Sequence, residues 1–146
     1  MQNSQKVKRV QLKVNRPNDF VLLGIVSSEP DYKLSLKLNN KFRISLKNIS
    51  PIEVKDASQP ELTFSRFSDI NNAAGLVFNL ISNRSGKHYL LNKLKNIDFI
   101  FQVHDSEKVT DISQITGILR EIESVNAVFT IDINTFKDKN LHFLTL

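Results

Sequence analysis

Lysines recur every four residues in one short stretch of the chain, and their spacing suggests a chemical role. Lys33, Lys37 and Lys41 stand at i, i+4 and i+8 in the stretch DYKLSLKLNNKF. If this stretch is a helix, the three ammonium groups share one face and repel one another, by roughly a few tenths of a kcal/mol per pair. An anionic partner would remove that repulsion, so the lysine stripe is a candidate binding surface.

The charge of the chain is unevenly distributed, which extends this candidate surface toward the N-terminus. The net charge is +5, but residues 1–50 carry ten Lys and Arg against three Asp and Glu, whereas residues 51–146 carry ten against twelve. A basic N-terminal third would attract RNA, an acidic protein or a membrane surface, while a solvated lysine-rich face without a partner is the alternative. The candidate binding residues are Lys6, Lys8, Arg9, Lys13, Lys33, Lys37, Lys41 and Arg43.

Other residue types that could do chemistry are sparse or unfavourably spaced. The three histidines match no metal-binding motif, and the chain contains no cysteine. His104 beside Asp105 could act in acid–base chemistry, but such a pair at the end of a strand is far more often structural. The sequence therefore predicts no catalytic residue, no metal site and no cofactor.

Hydrophobic periodicity predicts both strands and helices. The predicted strands are 10–16, 20–28, 61–69, 74–83, 87–92, 96–104 and 125–133, and the clearest helix is 106–124. Ser106 or Asp111 could cap that helix, and Gly117 inside it predicts close packing at that point. Two prolines in residues 48–60 predict an irregular connection.

The lysine stretch itself has two incompatible interpretations. With period two, alternate apolar residues share a face and the chain turns at Asn39-Asn40, which forms a hairpin. With period 3.6, Leu34, Leu38 and Phe42 form one face of a helix over residues 31–42. The local pattern alone slightly favours the hairpin.

Several of these stretches together resemble the IPExxVDY family of small bacterial proteins, typical of Bacteroidetes, whose function is not established. The resemblance runs from about Asp19 to the C-terminus and is carried by DFVLLGIVSSEPDYKLSLKLNNKF, NLISNRS, YLLNKLKNIDFIFQV and VFTIDI. The naming motif falls on residues 91–99, where Asn92 and Lys93 stand in place of the family's Pro and Glu. The resemblance implies a helix over residues 31–42, with a glycine in relatives at the position of Arg43, and it decides between the two interpretations.

With that helix, the predicted order is β-β-α-β-β-β-β-α-β. This order predicts a single α+β domain over residues 1–146, with residues 1–9 flexible, a mainly antiparallel sheet, and two helices packed on one face. It also allows a ferredoxin-like β-α-β-β-α-β core with added strands. No apolar run reaches the roughly 18 residues that a membrane span needs, so we expect a cytoplasmic protein without a membrane partner.

Three functions are compatible with these features. The leading hypothesis is a non-enzymatic adaptor that docks an acidic macromolecule, RNA or ribonucleoprotein first, through the basic N-terminal face. The alternative is a protein–protein interaction module: a homodimer formed through an exposed sheet edge, or a partner of an acidic protein such as acyl carrier protein or of an RNA-processing enzyme, as gene neighbours in the resembling family suggest. The third is an enzyme, which a deep pocket gathering His104, Asp98 or Arg84 would indicate.

Overall fold

The structure is a computed structural model that describes residues 20–56, 59–70, 76–105, 111–135 and 137–144. Its elements are β1 (Phe20–Ser27), α1 (Asp31–Phe42), β2 (Lys47–Asp56), β3 (Gln59–Asp69), β4 (Leu76–Ser82), β5 (Arg84–Ser85), β6 (His88–Tyr89), β7 (Phe99–Asp105), α2 (Ile112–Arg120), β8 (Val125–Ile131) and a 3₁₀ helix at Leu141–Leu144. The predicted α+β fold with a mainly antiparallel sheet is confirmed. The predicted strand at 10–16 lies outside the described residues.

The main sheet has six strands in the order β2-β3-β4-β7-β1-β8, and every neighbouring pair is antiparallel. Four of them, β4-β7-β1-β8, together with α1 after β1 and α2 between β7 and β8, have the strand order and directions of a ferredoxin-like β-α-β-β-α-β unit. The strands β2 and β3 lie between α1 and β4 in the chain and extend the sheet on one side. They are the strands added to the ferredoxin-like unit.

Both helices cover the same face of the sheet, as predicted. Leu34 and Leu38 of α1 and Leu119 of α2 are fully buried in one core with Phe101 of β7. Burial of each such side chain contributes about 1.5–3 kcal/mol. We define the helix layer as residues 29–43 and 111–124.

Irregular chain covers the opposite face of the sheet. Leu90, Leu91 and Ile97 are buried there in a second core, together with Leu144 near the C-terminus. We define the loop layer as residues 90–97 and 137–144. The sheet thus lies between a regular layer and an irregular one.

The helix over residues 31–42 is confirmed with the predicted boundaries. It begins with the Asp31 carboxylate accepting from the Tyr32 amide at 2.7 Å, and it ends where Arg43 adopts a left-handed conformation with φ of 57°. Asn39 does not form a turn, because its side chain instead accepts from the Leu46 amide at 2.7 Å and donates to the Leu46 carbonyl at 3.3 Å. Burial of the apolar face against the sheet outweighs the local preference for a hairpin.

The prediction of an irregular connection at 48–60 is wrong, because β2 and the start of β3 occupy this stretch. The pairing of β2 with β3 is irregular between Ile49 and Ile52, where Pro51 lies, and Arg66 Nε donates to the Ser50 carbonyl at 3.1 Å. A proline removes one ladder donor, which an edge strand tolerates. The proline therefore marks a bulge in a strand and not the end of one.

The remaining differences concern the ends of elements. α2 is shorter than 106–124: within the described residues it spans Ile112–Arg120, and the Asp111 carboxylate caps it by accepting from the Ser113 amide at 3.0 Å. The predicted strand at 87–92 is reduced to a two-residue ladder, because the chain turns at Gly86, whose φ is 61°. The prediction of close packing at Gly117 is wrong, since a Cβ there would meet no atom within 4 Å.

Candidate functional site

The predicted lysine stripe on α1 is largely neutralised by carboxylates of the protein itself. Lys37 Nζ lies 2.5 Å from Glu29 Oε2 and 3.2 Å from Ser124 Oγ, and Lys41 Nζ lies 3.5 Å from Glu121 Oε1. The hydrogen bond from Lys37 is the main reason that the pKa of Glu29 lies below its ordinary value of 4.5. These ion pairs relieve the repulsion among the lysines, so that no external anion is needed to do so.

The other predicted binding residues are only partly brought together. Lys33 and Arg43 are exposed on the helix layer, at opposite ends of α1. The remaining four predicted residues lie outside the described part of the chain; they are Lys6, Lys8, Arg9 and Lys13. Within the described residues, the predicted basic face therefore consists of α1 and the residue that follows it.

The two layers differ in charge. The helix layer carries five Lys and Arg and five Asp and Glu, so that its formal charges balance. The loop layer carries four lysines and one aspartate, and the adjoining β5–β6 hairpin adds Lys87 and Arg84, of which Arg84 is paired with Asp98. The excess of positive charge in the described structure therefore lies on the loop layer and not on the helix layer.

Sequence reasoning missed this basic region, although a signal for it was present. Residues 83–97 carry four Lys and Arg and no acidic residue. Because these cations follow no regular spacing, a search for helical or strand periodicity does not select them. Their common location becomes visible only when the loop is placed on the sheet.

A single buried amide fixes the course of the loop layer. Asn83 has no solvent-exposed surface, and its Nδ2 donates to the carbonyl oxygens of Leu94 and Ile97, both at 2.9 Å. Its Oδ1 accepts from the amide of Leu91 at 2.8 Å. Three backbone groups of one irregular segment are thus satisfied by one side chain, which orders that segment.

The second half of the region that resembles the family motif attaches the loop layer to β1. Asp98 accepts from the Ser27 amide at 2.9 Å through Oδ2 and from Arg84 Nη1 at 2.8 Å through Oδ1. The latter hydrogen bond raises the pKa of Arg84 above its ordinary value. Ile97 packs directly over Gly24, where its side chain takes the place that a Cβ would need. These contacts attach the loop layer to β1, so the role of these residues is structural.

The C-terminal segment completes the loop layer. Asn140 Nδ2 donates to the Leu90 carbonyl at 2.7 Å, and Gln102 Nε2 of β7 donates to the Leu144 carbonyl. Residues 137–144 therefore dock on the sheet.

Three lysines of the loop layer point into solvent from this ordered backbone. Lys93, Lys95 and Lys137 are exposed, and none forms an ion pair with a carboxylate of the described residues. The large apolar side chains that are exposed in the described structure all lie elsewhere; they are Tyr32, Leu36, Ile49, Ile70 and Phe129. The outer surface of the loop layer is thus basic and polar.

The groups that would indicate an enzyme are not gathered in one pocket. Arg84 pairs with Asp98 just before β7, whereas His104 lies six residues further along the chain near the other end of that strand, about 20 Å away at the usual rise per residue. Arg84 also lines an open groove of about 360 Å³ with Asp31 and Ser65, but His104 does not. Within the described ranges, no three His, Asp or Glu side chains are grouped as metal ligands.

None of the described helices is both long and apolar enough to cross a membrane. Neither a scan of the chain against protein-family models nor a search among curated proteins finds a match. The resemblance to the IPExxVDY family therefore stays a prediction from the quoted stretches.

Proposed function

We propose that this protein is a non-enzymatic, cytoplasmic adaptor domain that docks RNA or a ribonucleoprotein through the basic surface of its loop layer. The observation that carries this proposal is the segregation of charge: four lysines against one aspartate on the loop layer, and a balance on the helix layer. Lys93, Lys95 and Lys137 form no ion pair with a described carboxylate, and lysines of this kind release condensed counterions when they contact phosphates, which drives association. The basic surface proposed here is a different one from the N-terminal face expected from the sequence.

The chemistry of the surface favours a nucleic acid over a protein as the partner. Protein–protein interfaces have an apolar core and are depleted in lysine. The loop layer instead presents Lys93 and Lys95 beside Asn92 and Asn96, and no large apolar side chain is exposed on it in the described structure. Ammonium and amide donors of this kind suit phosphate and sugar oxygens.

The same surface supports binding without sequence specificity. Sequence-specific RNA recognition uses aromatic side chains on which splayed bases stack. Tyr89 beside the loop layer and Phe143 within it are half-buried, and the Arg84 guanidinium lies 5.9 Å from the Tyr89 ring centre. The exposed His142 ring packs against Phe143, with 4.2 Å between the ring centres. We therefore expect contacts with the RNA backbone only, to which the basic residues before Phe20 would add by long-range attraction.

A salt-dependent binding experiment with charge-reversal variants tests this proposal. In fluorescence anisotropy with a mixed-sequence single-stranded RNA, the wild-type protein should bind at about 50 mM salt and lose at least tenfold in affinity at about 200 mM. The variant Lys93→Glu/Lys95→Glu should bind more weakly by about tenfold and show a shallower dependence on salt. The matched control Lys33→Glu/Arg43→Glu changes the same number of charges on the helix layer and should bind nearly as the wild type does.

Two results would contradict the proposal. If the wild-type protein does not bind RNA at about 50 mM salt, the basic surface has no phosphate partner. If a partner from cell extract is retained after nuclease treatment but released by the loop-layer variant, the partner is an acidic protein, and the alternative function replaces this one.

A further inference from the structure

Two consecutive turns form an exposed part of the loop layer. The first is closed by a hydrogen bond from the Leu94 amide to the Leu91 carbonyl at 3.0 Å, and the second by one from the Ile97 amide to the Leu94 carbonyl at 3.2 Å. We define the double turn as residues 91–97. Asn83 hydrogen-bonds to the first, the middle and the last residue of this segment, so one buried side chain holds both turns in place.

Each of the two turns presents one asparagine and one lysine to solvent. Asn92 and Lys93 are the central residues of the first turn, Lys95 and Asn96 are those of the second, and all four are exposed. Leu94 between them is partly buried and packs against the core beneath the loop layer. The double turn therefore carries two sets of ammonium and amide groups on a fixed backbone, one before Leu94 and one after it.

One acidic group contacts the double turn. The Asp138 carboxylate accepts from the Lys93 amide at 3.3 Å and from the Asn140 amide at 3.0 Å. These contacts join the double turn to residues 137–144, where Lys137 adds a third exposed ammonium group. The carboxylate thus holds the backbone of the loop layer and leaves the layer with an excess of positive charge.

We propose that the preferred partner of this surface is double-stranded RNA, and that the double turn contacts its minor groove. The inference rests on the proposed function, because it names the form of RNA that the loop layer binds. The minor groove of A-form RNA is wide and shallow and displays the 2′-hydroxyl groups, so it is accessible to a short exposed loop. The asparagine amides of the double turn donate to 2′-hydroxyl oxygens there, and its two lysines contact the adjacent phosphates.

Charge density favours a duplex over a single strand at this surface. A duplex carries the phosphates of two strands along one axis, so a fixed group of cations meets about twice the charge that one strand offers. Proteins that bind single strands gain affinity instead from aromatic side chains on which successive bases stack. Within the described loop layer, the exposed ring is that of His142, and Phe143 packs against it. This arrangement does not provide a row of rings for successive bases.

The fixed backbone of the double turn also favours a rigid partner. Because Asn83 already orders this segment, binding to a rigid duplex requires little further ordering of the loop, which would otherwise reduce affinity. Double-stranded RNA is recognised mainly by its shape and through 2′-hydroxyl and phosphate contacts. Such contacts agree with binding that does not depend on the base sequence.

A comparison of nucleic acids of equal length tests the inference. In fluorescence anisotropy at about 100 mM salt, the wild-type protein should bind an RNA duplex of about 20 base pairs at least about fivefold more tightly than either of its separate strands. It should bind the same duplex at least about threefold more tightly than a DNA duplex of the same sequence, which lacks the 2′-hydroxyl groups.

A variant without charge change tests the contact with the 2′-hydroxyl groups. Asn92→Ala/Asn96→Ala removes both exposed amides of the double turn and keeps every lysine. It should bind the RNA duplex about threefold more weakly than the wild type does, and the DNA duplex equally well. The control Asn40→Ala removes an exposed amide from α1 on the helix layer and should bind both duplexes as the wild type does.

The failure of this inference is distinguishable from the failure of the proposed function. If single-stranded RNA binds and Lys93→Glu/Lys95→Glu weakens this binding, but the RNA duplex binds no more tightly, the proposed function stands and the inference is overturned. Equal affinity for the RNA and DNA duplexes, with no effect of Asn92→Ala/Asn96→Ala, overturns it as well. If no RNA, single-stranded or double-stranded, binds at about 50 mM salt, the proposed function and the inference both fail.

Discussion

The helix layer and the loop layer cover opposite faces of the same sheet, but they differ in whether their lysines are paired with carboxylates of the protein. In the helix layer, Lys37 and Lys41 reach carboxylates of the protein, Glu29 and Glu121, which are supplied by other segments of that layer. In the loop layer, Lys93, Lys95 and Lys137 are exposed and have no such partners among the described residues. A regular spacing of charges on a helix therefore does not by itself identify a binding surface.

The layers also differ in how they are attached to the sheet. Each helix satisfies most of its own backbone hydrogen bonds, so apolar side chains such as Leu34 and Leu119 suffice to attach it. Irregular chain cannot do this, and its buried backbone groups need side-chain partners. Asn83, Gln102 and Asn140 supply these partners in the loop layer.

The largest effect is expected at the amide that organises the loop layer. Asn83→Ala removes three hydrogen bonds and leaves buried backbone groups unsatisfied, so we expect the free energy of unfolding to fall by about 3 kcal/mol. Urea denaturation measures this loss. Amide hydrogen exchange should accelerate in residues 90–97 and remain unchanged in α1.

The matched control on the helix layer is Asn39→Ala. Asn39 makes two hydrogen bonds with Leu46, but its side chain is only partly buried and water can replace it. We expect a loss of about 1 kcal/mol. Equal losses for the two variants would contradict the view that polar side chains attach the loop layer and apolar ones the helix layer.

Alanine substitutions at two glycines, one on each side of the sheet, should change the stability of the protein in opposite directions. A Cβ at Gly24 would collide with Ile97, so Gly24→Ala should destabilise the protein by about 1–3 kcal/mol. A Cβ at Gly117 would meet nothing, so Gly117→Ala should stabilise α2 by about 1 kcal/mol through helix propensity. Thermal unfolding of both variants measures the two signs, and a destabilising Gly117→Ala would contradict the exposed position of this residue.

The smallest effect is expected from the ion pair between Glu29 and Lys37. Because the pKa of Glu29 is lowered in the folded state, the pair contributes stability above the ordinary pKa of 4.5 and loses it as the pH falls through the folded pKa. Glu29→Gln should therefore lose less stability on acidification than the wild type does. Urea denaturation at neutral and acidic pH checks this. The control is Glu121→Gln, which should behave as the wild type does, because the Lys41–Glu121 distance of 3.5 Å is longer than that of the Glu29 pair and the Glu121 side chain is 66% exposed.

The sequence was sufficient to predict much of the fold. Apolar periodicity identified the strands at 20–28 and 61–69, the helix that Asp111 caps, and the α+β class, while the family resemblance selected the helix at 31–42. The strand β2 was missed because a proline was interpreted as a break, although an edge strand tolerates one. Whether a strand lies at an edge depends on the sheet order, which single-sequence patterns do not contain.

The candidate site was harder to predict than the fold. The i, i+4, i+8 spacing correctly placed three lysines on α1, but Glu121, which pairs with Lys41, is distant in the sequence. Ion pairs of this kind depend on tertiary packing, and so does the position of a loop on a sheet face. Local patterns therefore favoured the helix layer, and the excess charge lies on the other one.

Lysine footprinting in the presence of RNA tests directly whether the loop layer contacts phosphates. The protein is acetylated with and without a single-stranded RNA at low salt, and the modification of each lysine is measured by mass spectrometry. We predict that RNA protects Lys93, Lys95 and Lys137 and leaves Lys33 as reactive as in the free protein. Protection of Lys33 with unchanged reactivity of Lys93, Lys95 and Lys137 would show that RNA binds the helix layer and not the loop layer.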